Sequence, residues 1–214
     1  MDQLQHWNNL HAHQRLRDYS HTHTSFAEEV TTTLIEPIEL LELGCGEGND
    51  SIFFAQQGHQ VVATDFSDVI IEQNQNDSDN SNVKFDILDM MKPFAFADDR
   101  FDVIYARLSL HYFSDVITRR LLREISRVLK PDGNAYFMCK STADSLYGKG
   151  ARIEADIYEN DGHVRHFFSQ KYAQAICSDA GLSIAKVVTG NELIYGRRSA
   201  FIKVVAHKPT NNTK

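Results

Sequence analysis

At 214 residues, with 42% hydrophobic and 24% charged side chains, the chain is long enough to bury a full core and has the composition of a soluble globular domain. A net charge of −7 lacks the electrostatic footprint of nucleic-acid binding, and no apolar run approaches the roughly 18 residues of a membrane span. Three scattered cysteines form neither a disulfide framework nor a metal-ligand pattern, so a reducing, cytoplasmic setting without a metal is expected.

The first 30 residues are polar and hold His6, His11, His13, His21 and His23. These read as a solvated face, because carboxylate and cysteine partners are missing at ligand spacing. The opening segment also lacks the basic and apolar parts of a signal peptide. From Leu40 to Leu43 the chain turns apolar, as suits a strand buried on both faces of a parallel sheet, and then places Gly44, Gly46 and Gly48 at every second position. A helix over residues 50–57, stopped by Gly58, follows. Together these make a nucleotide cradle: the glycines keep side chains out from between backbone and ligand, and the first helical amides point into the same space. The dinucleotide pattern G-x-G-x-x-G fails here, since Asn49 stands at its third glycine position.

Gln60–Asp65 reads as a second strand ending in a carboxylate 21 positions after Gly44, where a ribose-binding acid is expected. Asp65 can accept hydrogen bonds from both ribose hydroxyls, Phe66 can stack on adenine, and Ser67 can cap a helix over residues 67–74. The tract Asn74–Asn82 has no apolar residue and reads as a flexible connection without a catalytic role. Val83–Asp89 and Phe101–Ala106 follow as third and fourth strands. Between 115 and 129, Ile117, Leu121, Ile125 and Val128 or Leu129 form one stripe, leaving Arg119, Arg120, Arg123 and Arg127 to the wet side. Asn134–Cys139 is the fifth strand, while residues 141–167 show no clear strand pattern and are expected to be a lid or binding loop. A helix from 168 to its stop at Gly181 and two runs, Leu182–Val188 and Phe201–Ala206, complete the chain as an antiparallel pair.

Read from Glu42 to Gly48, Glu-Leu-Gly-Cys-Gly-Glu-Gly resembles motif I of the class I S-adenosylmethionine-dependent methyltransferases. Asp65, Asp89, the Phe101-Asp102 segment and Leu121–Gly133 stand in that family's order, over roughly residues 38–141. The resemblance implies an α/β, Rossmann-like, doubly wound fold with a seven-stranded, mostly parallel sheet of order 3-2-1-4-5-7-6, the last strand antiparallel. It also implies S-adenosylmethionine as cofactor, held by Glu42, Gly44, Cys45, Gly46, Gly48, Asp65, Phe66, Ser67, Asp89, Met90 and Ala106. Glu42 would suit the cofactor's ammonium, and Asp89 with Met90 the adenine amino group and ring edge. One domain over 1–214 is expected, with residues 1–30 as a helical lid segment, 31–140 as the cofactor-binding half, 141–167 as the acceptor lid and 168–208 as the closing helix and strand pair. In the first of these, Trp7, Tyr19 and Phe26 either shield the sulfonium or pack the first helix onto the sheet.

Methyl transfer is an in-line displacement at an already activated carbon, so positioning is the protein's main task and a base is needed only if the acceptor must lose a proton. The loop after strand four offers Arg107, Ser109, His111 and Tyr112, of which Arg107 and His111 are the catalytic candidates. Arg107 can clamp an anionic acceptor or pair with Glu154 or Asp156; His111 can serve as base or merely cap and pack. Tyr147, Arg152, His163, Arg165 and His166 are candidate acceptor contacts. The expected partner is a small-molecule acceptor, with no nucleic acid and no membrane. A nucleotide-dependent oxidoreductase and a non-catalytic S-adenosylmethionine-binding protein are the alternatives.

Overall fold

The computed structural model describes residues 7–8, 22–160, 162–194 and 197–210. The expectations for His6, His11, His13, Tyr19 and His21 lie outside them. Two compact units divide the chain, Met1–Phe94 and Ala95–Lys214. The principal sheet has seven strands which, numbered among themselves in chain order, run 3-2-1-4-5-7-6, the expected order. No helix among the described residues is long and apolar enough to cross a membrane.

The first unit consists of α1 (Ser25–Thr31), β1 (Glu39–Leu43), α2 (Asn49–Gln56), β2 (Gln60–Asp65), α3 (Asp68–Asp77) and β3 (Val83–Ile87). β1 and β3 flank β2 in parallel register, Leu41 opposite Val62 and Ala63 opposite Phe85. Successive strand residues face opposite sides, and Leu40, Leu41 and Leu43 are all fully buried, which is why β1 shows no polar alternation. Phe54 and Ala55 from α2, and Ile70 and Ile71 from α3, complete this core. Thr24 Oγ1 caps α1 by accepting from Ala27 N at 3.3 Å, and Ser67 Oγ caps α3 by accepting from Ile70 N at 3.4 Å. Phe26 is buried on α1 with Ala27 and Val30. α3 runs on to Asp77, into the tract read as flexible, and buries Asn74.

The second unit opens with β4 (Phe101–Arg107), a 3-10 turn (Leu110–Tyr112), α4 (Asp115–Val128) and β5 (Leu129–Lys140). Three short strands follow, β6 (Ala151–Glu154), β7 (Ile157–Asn160) and β8 (His163–His166), then α5 (Gln170–Asp179), β9 (Ser183–Ile194) and β10 (Arg197–His207). β5 runs parallel to β4, and β10 is antiparallel to both β5 and β9. β5 begins at Leu129 rather than Asn134: the register steps from Phe101–Leu129 to Val103–Asn134, so the Lys130–Gly133 turn is absorbed as an irregularity within the strand. α4 buries Thr118, Leu121, Leu122, Ile125 and Val128. Its arginines are more than a wet face, since Arg119 pairs with Asp115 and Asp179, and Arg127 with Glu124 and Asp98.

Residues 141–167 are not a strandless loop; they carry β6, β7 and β8 as a separate antiparallel sheet. All four residues of β6 are exposed, so no hydrophobic alternation announces it. Gly150 shows why the backbone can pass here, for at φ +85° an added Cβ would lie 2.0 Å from the Glu159 carbonyl oxygen.

Candidate functional site

At the end of β1 the main chain leaves the sheet. Gly44 N and Cys45 N both donate to Thr64 O, at 2.8 and 2.9 Å, and Gly48 N closes a turn onto Cys45 O at 3.0 Å. Gly46 and Gly48 lie in the left-handed region at φ +51° and +74°. A Cβ on Gly48 would stand 2.7 Å from a ring carbon of Phe85. Gly48 is also the residue before α2, where it brings no capping side chain to the first helical amides. Asp65 closes β2 beside this turn, and each carboxylate oxygen takes one main-chain amide: Oδ2 from Gly46 at 3.0 Å and Oδ1 from Ser67 at 3.0 Å. Held this way, each oxygen keeps further acceptor capacity, which suits the two vicinal hydroxyls of a ribose.

Glu42 is buried at 3% exposure and accepts a short hydrogen bond from Ser51 Oγ, so its carboxylate fastens the first turn of α2 to β1. Burial, reinforced by the Asp65 and Glu42 carboxylates, pushes the Cys45 thiol well up, which keeps it protonated and poorly nucleophilic. Asp89 accepts from Met91 N at 2.9 Å and pairs with Lys92 at 3.3 Å, while Phe66 and Met90 are half-buried.

Two residues that sequence reasoning missed hold this region together. Asn74, 6% exposed, donates from Nδ2 to Gly46 O at 2.8 Å and so braces the glycine turn from α3. Its signal was helical spacing, since Ile70, Ile71 and Asn74 share one face, but the polar tract around it hid that. Asn8 accepts from Ser67 Oγ at 2.6 Å and donates to Asp68 Oδ1 at 2.8 Å, tying the segment that carries Trp7 to the start of α3, next to Asp65 and Phe66. α1 is fixed to α2 as well: both oxygens of Asp50 accept from Thr24, at 2.7 and 2.8 Å, and His23 stacks on Phe53 at 3.7 Å.

In the second unit Ala106 is buried within β4. Arg107 ends that strand opposite Met138, with its Nε enclosed and without a hydrogen-bond partner. The expected pairing with Glu154 or Asp156 is not made; Asp156 instead accepts from the Tyr147 hydroxyl at 2.6 Å. His111 sits in the 3-10 turn at 1% exposure, and neither ring nitrogen has a partner. Burial, together with Lys140, Arg165 and His166, holds its imidazole well below the usual range, so it is neutral near pH 7. His166, also buried, packs on Phe168 and Tyr172, and burial lowers it to about 4 against the opposing pull of Asp115 and Asp156. Arg165 lies opposite Tyr158 with its Nε enclosed and unpartnered, Arg152 is exposed and donates to Glu154 O at 3.2 Å, and His163 is half-buried.

A family model described as a methyltransferase domain matches residues 40–133. The chain is 32% identical over 97 residues to the uncharacterized methyltransferase YcgJ of Bacillus subtilis, covering 44% of this chain and 37% of that protein. It is 32% identical over 105 residues to phosphoethanolamine N-methyltransferase 3 of Arabidopsis thaliana, covering 48% and 21%. The matches thus span well under half the length of these curated relatives. Among solved structures, an S-adenosylmethionine-dependent methyltransferase of Methanosarcina mazei superposes with a TM-score of 0.74 at 20% identity, over 85% of this chain and 97% of that one, and so shares the fold. A glycine turn beside a ribose-type acid admits several nucleotide cofactors; the methyltransferase-domain match falls on those same residues, and the fold is shared with a solved S-adenosylmethionine-dependent methyltransferase.

Proposed function

We propose that the chain transfers a methyl group from S-adenosylmethionine to a small-molecule acceptor, acting as one domain whose cofactor contacts come chiefly from residues 31–140. The observation that carries this reading is the Asp65 carboxylate, fixed by the Gly46 and Ser67 amides at 3.0 Å each with acceptor capacity to spare. When bound, S-adenosylmethionine supplies a sulfonium-activated methyl carbon open to in-line displacement. Asp65 would accept from the ribose hydroxyls, the Gly44–Gly48 turn leaves room for backbone contact, and Asp89 with Met90 and Phe66 would read the adenine. Glu42, already engaged by Ser51, would act on the amino acid end by its charge.

On the acceptor side Arg107 would position the substrate, and His111, neutral and without partners, can take up a proton from an acceptor that must lose one. Enclosed single donors such as Arg107 Nε and the His111 ring favour a small acceptor over a broad macromolecular surface. Relatives are named for phosphoethanolamine and for malonyl-[acyl-carrier protein], so similarity alone does not choose the acceptor. A methyl-release assay with the full chain and a metabolite panel tests the reading. Turnover with at least one small acceptor is expected, and cofactor binding without turnover on any acceptor, small or protein, would leave a non-catalytic binding protein.

A further inference from the structure

Beside the buried His111 the second unit sets Arg165, whose Nε no carboxylate takes. β8 packs against the 3-10 turn that holds His111, and Arg165 and His166 of β8, with Lys140 at the end of β5, all act on its ring. None of the carboxylates in this region takes Arg165. Asp144 takes Lys140 at 3.1 Å and Ala200 N at 2.9 Å, Asp115 takes Arg119 at 2.9 Å, and Asp156 takes the Tyr147 hydroxyl at 2.6 Å. Arg165 is left with an enclosed Nε and no partner, and His111 with two. Register places Arg165 opposite Tyr158 and Tyr158 opposite Arg152, so one face of the small sheet carries a guanidinium on each side of a phenol ring. Arg165 is half-buried with its Nε enclosed, an enclosed N–H without an acceptor is costly, and the planar fork of a guanidinium matches a carboxylate or phosphate.

We propose that Arg165 and His111 form a binding site for an oxyanion group, carboxylate or phosphate, carried by the acceptor. Arg165 supplies the counter-charge and His111, uncharged, a single N–H to the same anion, with Arg152 at the exposed rim of the sheet. Only the identification of the anion as part of the acceptor rests on the methyltransferase reading; the anion site itself stands on these side chains.

The test is nuclear magnetic resonance of the full chain with isotopically labelled histidine, at constant ionic strength, titrated separately with malonate, inorganic phosphate and the neutral isostere malonamide. The His111 signal is assigned by its loss in His111→Gln. Malonate or phosphate should move that signal saturably, the tighter of the two naming the head group, and malonamide should not. Arg165→Gln should weaken the response about tenfold or more, and Arg165→Lys, which keeps the charge without the fork, by less. An equal response to malonamide, no response to either anion, or undiminished binding in both Arg165 variants would overturn the proposal; should Arg165→Gln fail to fold, Arg165→Lys decides alone. A parallel calorimetric titration of the parent with S-adenosylmethionine separates the two claims. Anion binding without cofactor binding removes the methyl-transfer reading alone, and the converse removes this site alone.

Discussion

Asn74→Ala removes the amide that donates to Gly46 O at 2.8 Å from a side chain only 6% exposed. The carbonyl it leaves behind loses a partner at a half-buried position, a cost of about 1–3 kcal/mol. For a chain of this length each kcal/mol lowers the midpoint by about 2–4 °C, so a fall of about 2–12 °C is expected. Gly46 is also the residue whose N–H holds Asp65 Oδ2, so a loosened turn should weaken S-adenosylmethionine binding by about tenfold. Asn74→Asp should be worse than Ala, because it sets a carboxylate oxygen against the Gly46 carbonyl and adds negative charge beside Cys45, which already feels Asp65 and Glu42. Thermal unfolding and calorimetry on the two variants read both effects. If Asn74→Asp melts and binds like the parent, the brace has no role and the reasoning from its geometry is wrong.

Asp65→Ala should cost at least tenfold in cofactor affinity while the fold survives, since each charge-assisted hydrogen bond it removes is worth about 1.5–3 kcal/mol; unchanged affinity would misplace the ribose site. Arg107→Ala should cut turnover about tenfold to a thousandfold through lost positioning yet barely alter cofactor affinity, as steady-state kinetics beside calorimetry will show. An equal loss of cofactor affinity would place Arg107 at the cofactor instead. For His166, the folded value of about 4 lies below the roughly 6.5 of an unfolded chain, so the unfolded state gains the proton first as pH falls. The stability it contributes is complete above about pH 6.5 and is lost as pH falls toward 4, by up to about 3 kcal/mol. Denaturant unfolding across that range should show the decline and a flatter one in His166→Gln; equal slopes would assign the decline to other groups.

The cofactor side was legible because its constraints are local and leave marks on the chain. A doubly buried strand must be apolar at consecutive positions, as Leu40 and Leu41 are, and a turn in the left-handed region selects glycine at 46 and 48. Asp65 was found by its position at the end of β2, but that one of its oxygens is held by Gly46 was not, because a hydrogen bond across 19 residues has no periodic signature. Asn74 was hidden for the opposite reason, a buried polar residue lying in a run of polar residues. β6, β7 and β8 escaped because four residues are too few for a period to be read, and β6 exposes every side chain. The Asp161-Gly162 dipeptide after Ile157 was their one available hairpin signal. For Arg107, the sequence placed the residue at the strand end, but the pairing expected with Glu154 or Asp156 is not made, since ion pairs between distant segments follow from packing and not from spacing.

The central claim is that the glycine turn and Asp65 take S-adenosylmethionine, and calorimetric titration of the full chain with S-adenosylmethionine and with NAD, each repeated on Gly46→Val, tests it most directly. Saturable single-site binding of S-adenosylmethionine, its loss in a folded Gly46→Val chain, and no heat of binding with NAD are the predicted results. Binding of NAD in place of S-adenosylmethionine, or undiminished S-adenosylmethionine binding in Gly46→Val, would contradict it.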